Sequence, residues 1–186
     1  MFTEYIYILI AIIVVLALSF LPQNNYLLLL EVLILLPLVP TLLTLRTAPF
    51  VPSKKDKIDT MFKLAAILKD ENVYDLGAGD GRMVSRAATL GANATGIEVS
   101  VPMFIYFQAR KALGKVKGNM IWGDIWRRDY SDANVILIFV MPAAMKRFED
   151  QVYPKLSKGT RVVSNAFILP NVKPNKQENG VYLYIK

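Results

Sequence analysis

From residue 72 to the C-terminus, short runs rich in β-branched and aromatic residues alternate with stretches whose apolar positions recur at helical spacing. No other feature narrows the fold as far. Strands are expected at 72–76, 94–99, 119–122, 135–140, 160–165 and 181–185, with helices at 81–90, 102–113 and 143–153. Repeated strand–helix–strand units make right-handed crossovers, and these build a mostly parallel sheet with helices on both faces. An earlier helix is expected after Ser53, which with Asp56 reads as a capping box, and Ile58, Met61, Phe62, Ala65 and Leu68 share one face of it. The expected fold class is α/β, a Rossmann-like doubly wound sheet. The tail beyond Asn165 is short for a full antiparallel pair, so six strands or a reduced seventh are expected.

What precedes this domain has a different character. Residues 1–45 carry only two charges, Glu4 and Glu31, and contain two apolar runs, 2–21 and 26–45, each about long enough to cross a bilayer as a helix. Between them lies PQNN, a turn. No basic region precedes the first run and no small-residue cleavage site follows it, so a helical hairpin is favoured over a signal peptide. Glu31, Pro37 and Pro40 leave open whether the second run is kinked or enters the bilayer without crossing it. The expected division is a membrane anchor over 1–46 and a catalytic domain over 47–186. Arg46, Lys54, Lys55 and Lys57 follow the runs while the turn has no charge, which places the domain on the cytoplasmic side.

Charge and composition narrow the chemistry. Of 22 basic and 15 acidic side chains, setting aside Arg46, Glu4 and Glu31 leaves 21 and 13 in residues 47–186, a formal +8. Beside a membrane segment such a surface reads as attraction to anionic headgroups, although it also suits an acidic or nucleic-acid partner. The membrane segment favours the first, and no nucleic-acid partner is expected. The chain has no cysteine and no histidine, which removes thiolate nucleophiles, imidazole acid–base chemistry and nearly all zinc sites, so no metal is expected.

The first strand runs into VYDLGAGDGRMV, residues 73–84. In a doubly wound sheet, ligands bind beyond the carboxyl ends of the strands, and this loop sits there. Gly77 and Gly79 let backbone approach a ligand, and Gly81 lets the next helix start tightly. A dinucleotide fingerprint needs its third glycine at position 82, which is Arg82. The pattern Asp75-x-Gly77-x-Gly79-x-Gly81 instead resembles the S-adenosylmethionine loop of Rossmann-like methyltransferases. That cofactor has an ammonium group that favours carboxylates, and Asp75 and Asp80 suit it. In GIEVS, Glu98 stands where an acid accepts ribose hydroxyls. In GDIW, Asp124 can accept from the adenine amino group, with Ile125 or Trp126 against the ring. Met103, Phe104, Tyr106 and Phe107 are expected to form the core face of their helix.

With these residues in hand, the domain resembles the seven-β-strand methyltransferases. More narrowly, it resembles the membrane-anchored protein-lysine N-methyltransferases of the ATP synthase c subunit and the adenine nucleotide translocase, with their prokaryotic relatives. Beyond the glycine loop the resemblance rests on PFVPS before the first domain helix, GIEVS, GDIW, Met141-Pro142 and GTRVVSNAF, about residues 49–167. It implies a class I methyltransferase fold behind an N-terminal hydrophobic hairpin and S-adenosylmethionine as cofactor. Asp75, Gly77, Gly79 and Glu98 are then cofactor residues, and PFVPS, with Phe50 and Pro52, closes over the cofactor. The substrate channel is expected at the end of the fourth strand, from Phe139 to Pro142. The implied partners are the bilayer and an integral membrane protein acceptor such as the ATP synthase c subunit. A methyltransferase of a membrane small molecule, an aminophospholipid or a quinone, is the nearest alternative, and a nucleotide-sensing membrane module the next. No side chain identifies itself as a catalytic base.

Overall fold

A computed structural model describes residues 51–186. The two apolar runs, and with them the expected hairpin and Phe50, lie outside the described residues. Among the described residues no helix is long and apolar enough to cross a membrane.

Seven strands form one sheet in the order β3-β2-β1-β4-β5-β7-β6. β1 (Asn72–Leu76), β2 (Asn93–Glu98), β3 (Asn119–Trp122), β4 (Val135–Ile138) and β5 (Arg161–Asn165) run parallel. β7 (Val181–Ile185) is antiparallel to β5 and to the edge strand β6 (Lys176–Glu178). The expectation of six strands or a reduced seventh is corrected: the seventh is full length, and the sixth is the reduced one. Asn179 and Gly180 both have positive φ, 48° and 63°, which is the backbone a two-residue hairpin loop demands.

β4 is buried at all four positions, as a central parallel strand must be. Its residues alternate between two cores. Val135 and Leu137 join Val73 and Val163 beneath the helices α1 (Lys55–Ala65), α2 (Arg82–Thr89) and α3 (Val101–Ala112). Ile136 and Ile138 join Leu76, Ile97 and Val162 beneath α4 (Pro142–Gln151). By the same two-residue period Asp75 and Glu98 fall on the face covered by α1, α2 and α3, at the ends of β1 and β2.

Two local expectations are corrected. Ser53 does not cap α1; Lys54 occupies the cap with no side-chain bond, and the Ser53 hydroxyl instead accepts from Asn165 Nδ2 at 3.1 Å. Helix α1 ends at Ala65, with Ala66 left-handed at φ 46°, so Leu68 leaves the apolar face and is exposed. Nor does α3 bury four residues: Phe107 alone is fully buried, Met103 and Phe104 are half-buried, and Tyr106 is exposed.

Candidate functional site

The glycine loop leaves β1 with Gly77, Gly79 and Gly81 at φ 80°, 56° and 74°, where side chains are disfavoured. Its amides turn inward. Gly77 N and Ala78 N donate to the Ile97 carbonyl at 2.9 and 3.1 Å, and Gly79 N donates to Glu98 Oε2 at 2.8 Å. Glu98 Oε1 accepts from Ser100 N at 2.7 Å. One buried carboxylate thus fastens the loop to the start of α3, and its remaining lone pairs can still accept from a ligand. Gly123 N donates to the Glu98 carbonyl at 2.9 Å, so the turn after β3 lies beside the same strand end.

Asp75 is the anomaly. It is 1% exposed, and neither carboxylate oxygen has a hydrogen-bond partner among the described residues. Burial, with Glu98 and then Asp80 adding like charge, pushes its carboxyl up to about 8. Ionising a buried carboxyl that has no partner costs on the order of several kcal/mol, so a cation beside it is what would let it ionise at neutral pH. Asp80 does not share that deficit: Arg82 clasps it through Nε at 3.0 Å to both oxygens and through Nη2 at 2.7 Å. The orphaned acid beneath a glycine-rich loop fits the ammonium-bearing end of S-adenosylmethionine. Asp75, Gly77, Gly79, Gly81 and Glu98 are the residues that would hold it, and Asp80 stands one step back, neutralised.

The Asp124 side chain accepts from Trp126 N at 3.0 Å and caps the short 3-10 turn Ile125–Arg127. Its second oxygen lies 3.7 Å from Arg127 Nε. Trp126 lies under the Arg147 guanidinium at 4.3 Å, and it and Ile125, both half-buried, pack against the core beneath α4 and form the apolar surface of this turn. The Tyr130 hydroxyl props the turn by donating to the Ile125 carbonyl at 2.9 Å, and burial pushes its own ionisation upward.

Across the strand ends, Phe139 after β4 stacks on Phe167 after β5, with centroids 6.2 Å apart and planes at 18°. Pro142 starts α4, and the Met141 carbonyl is already used by Ala144 N and Met145 N. Pro52 is exposed, while its neighbour Ser53 is held by buried Asn165 at the end of β5. Phe167 and Asn165 are site residues without a role in the motifs, and Ser53, expected as a helix cap, is a third. GTRVVSNAF contained two of them.

All these groups sit at the carboxyl ends of β1 to β5. Glu98→Ala is expected to weaken binding of S-adenosylhomocysteine, measured by calorimetry, by about 1.5–3 kcal/mol, the range for hydrogen bonds to a charged group. It is also expected to lower the melting temperature by freeing the buried Gly79 amide and the half-buried Ser100 amide. Unchanged affinity would put the ribose elsewhere.

A model of the ANTKMT methyltransferase domain matches residues 75–176. A protein-lysine N-methyltransferase of Saccharolobus islandicus (strain REY15A) is 30% identical over 154 residues, which is 74% of this chain and 92% of the relative. The human lysine N-methyltransferase of the ATP synthase c subunit is 29% identical over 129 residues, 68% of this chain and 55% of the relative. The chain therefore spans nearly all of the first and about half of the second. The crystal structure of an RNA methyltransferase from Salinibacter ruber in complex with S-adenosyl-L-homocysteine superposes with a TM-score of 0.67 and 32% identity, over 73% of this chain and 93% of that one.

Proposed function

The chain belongs to the ANTKMT methyltransferase domain family and is an S-adenosylmethionine-dependent methyltransferase, and we propose that it N-methylates a lysine of an integral membrane protein to which residues 1–46 tether it. The similarity to the Saccharolobus protein-lysine N-methyltransferase, running over 92% of that relative, is the observation that carries the lysine assignment. The c subunit of ATP synthase is the favoured acceptor, on the names of the animal relatives. The tether is read from the two apolar runs. The domain over 47–186 is assigned to the cytoplasmic side on the basic residues that follow them.

When bound, the cofactor supplies an electrophilic methyl group on a positively charged sulfur. The chain supplies position and a dry approach. Asp75, which holds its proton in the free protein below about pH 8, is placed to ionise against the ammonium beneath the loop, and Glu98 holds the loop's shape from below. The Phe139–Phe167 pair gives the acceptor side an apolar wall suited to the methylene stem of a lysine. A lysine at its ordinary pKa of about 10.4 arrives protonated, and loss of water against such a wall favours the neutral amine that can act as nucleophile. Residues 139–145, FVMPAAM, contain no carboxylate, so this stretch itself offers no side-chain base for the departing proton.

A tether raises the local concentration of a membrane acceptor without new contacts. Deleting residues 1–46 is expected to leave affinity for S-adenosylhomocysteine nearly unchanged and to reduce label transfer from S-adenosylmethionine to membranes by about a hundredfold. The label is followed into protein, lipid and RNA fractions. Lysine-bound label in a small membrane protein supports the assignment; label in lipid alone would replace it with the small-molecule reading. Label in RNA would side with the activity named for the Salinibacter relative.

A further inference from the structure

Helix α3 is finished in a way that the methyl-transfer site does not require. Its core contribution is Phe107, yet Pro102, Ile105, Tyr106, Ala109, Ala112 and Leu113 recur at helical spacing on the opposite side and are all exposed, Ile105 at 59% and Leu113 at 68%. A solvent face would be polar there. Trp122, 59% exposed with its indole N–H on the Val99 carbonyl at 3.0 Å, carries the apolar surface past the N-terminal end of the helix.

Beside this stripe lies a cavity of about 390 Å³ lined by Lys55, Ile58, Asp80, Arg82, Arg86 and Arg110. Four cations and one carboxylate line it; Arg82 is paired with Asp80 and Arg86 with Asp59 at 2.5 Å, which leaves Lys55 and Arg110 without a carboxylate partner among the described residues. Arg110 belongs to both features. It lines the cavity, and its guanidinium lies 5.3 Å from the Tyr106 ring, one turn back on α3.

We propose that this face is a membrane-binding surface, with the α3 stripe lying in the interfacial zone of an anionic bilayer and the basic cavity receiving the phosphate of a phospholipid headgroup. The commitment to a bilayer rests on complementarity. A stripe of Ile, Leu, Tyr and Trp rimmed by Arg110, Lys111, Lys115 and the cavity cations matches a partner that is apolar within and anionic at its edge. Tyr106 and Trp122 are of the residue types that concentrate at headgroup level. The second apolar run ends ten residues before Lys55, a reach of about 35 Å of extended chain at most. The inference rests on the tether reading for where the protein works, but it concerns a separate surface.

Because the chain has no cysteine, Ile105→Cys in the full-length protein can be labelled with an environment-sensitive fluorophore without background. The protein is reconstituted in vesicles of phosphatidylcholine alone or mixed with phosphatidylglycerol. A blue shift of the label in anionic vesicles only, reversed by high salt, is the expected result. Arg110→Glu is expected to raise severalfold the phosphatidylglycerol fraction needed for half the shift. A label at Leu90→Cys, at the far end of α2, is expected to stay in water. If Ile105→Cys disturbs the fold, judged by binding of S-adenosylhomocysteine, Leu113→Cys gives the same readout. Labels that stay water-exposed in anionic vesicles overturn the proposal, as does an equal shift in neutral vesicles or a shift caused by added RNA. Retention on vesicles after an alkaline carbonate wash reports the tether by itself, so the two readings fail separately.

Discussion

Replacing Asp75 by asparagine is expected to stabilise the cofactor-free protein and to lower its affinity for S-adenosylhomocysteine by about a hundredfold or more, the scale for removing one partner of a buried charge pair. The folded carboxyl titrates at about 8, whereas an unfolded aspartate titrates at about 3.9. Between those values the folded protein keeps a proton that the unfolded chain has released, so stability falls as pH rises through the window and is flat above it. An amide cannot ionise, so this slope disappears in the variant, and its advantage over the wild type is largest at and above about pH 8. Cofactor binding reverses the sign, because a bound ammonium favours the ionised form that the variant lacks. Below about pH 8 wild-type binding therefore releases a proton, and calorimetry in buffers of different ionisation enthalpy detects it. Denaturation curves that keep their pH slope in the variant would assign that slope to another group. Unchanged affinity would remove Asp75 from the cofactor site.

The parallel half of the sheet was legible because a strand buried on both faces must be almost wholly apolar, and VILI at 135–138 is. Its boundaries moved by one or two residues, as where Phe139 and Val140 leave β4 to shape the rim. The antiparallel edge was misjudged on length, although Asn179-Gly180 is a strong local signal for a two-residue hairpin. Three paired residues suffice for β6, because β7 is anchored along five residues of β5. Helix α3 misled for another reason. Periodicity marks an apolar face but not what covers it, and Ile105 and Tyr106 belong to a stripe that nothing in the described residues covers.

At the site, the order of acids and glycines carried the reading, since Arg82 in place of a third fingerprint glycine excludes one ligand class by itself. What a single sequence could not show was the state of each acid. Asp75 and Asp80 look equivalent in DLGAGD, yet one is orphaned beneath the loop and the other is clasped by Arg82. The difference comes from the strand pleat, which turns Asp75 inward, and from the helix start, which brings Arg82 back over Asp80. Ser53 illustrates the same limit: its spacing to Asp56 suits a cap, but a buried tie to Asn165, 112 positions away, takes the hydroxyl.

Gly81→Ala is expected to be among the most destabilising single-methyl additions in the domain, and two separable costs make it so. The residue has φ 74°, and a Cβ there would lie 2.2 Å from Phe107 Cδ2 and 2.5 Å from Cε2. Phe107 is the one fully buried side chain of α3 and is packed in the core with Met120, itself 3.1 Å from the added carbon, so the ring has no room to retreat. Backbone strain of about 1–2 kcal/mol and overpacking of about 1–3 kcal/mol both apply. Gly114 isolates the first cost: it has φ 67° and open space where a Cβ would go, so Gly114→Ala is expected to lose only the strain. Phe107→Leu in the Gly81→Ala background isolates the second. A double-mutant cycle is expected to return at least about 1 kcal/mol of coupling, because the shortened side chain vacates the contact. The loop carrying Gly79 and Asp80 leads directly into this position, so affinity for S-adenosylhomocysteine is expected to fall along with stability and to recover in the double variant. Equal losses at positions 81 and 114, or zero coupling, would mean that Gly81 serves only its backbone angle. The tight seat of the glycine loop on α3 would then lose its role in shaping the cofactor site.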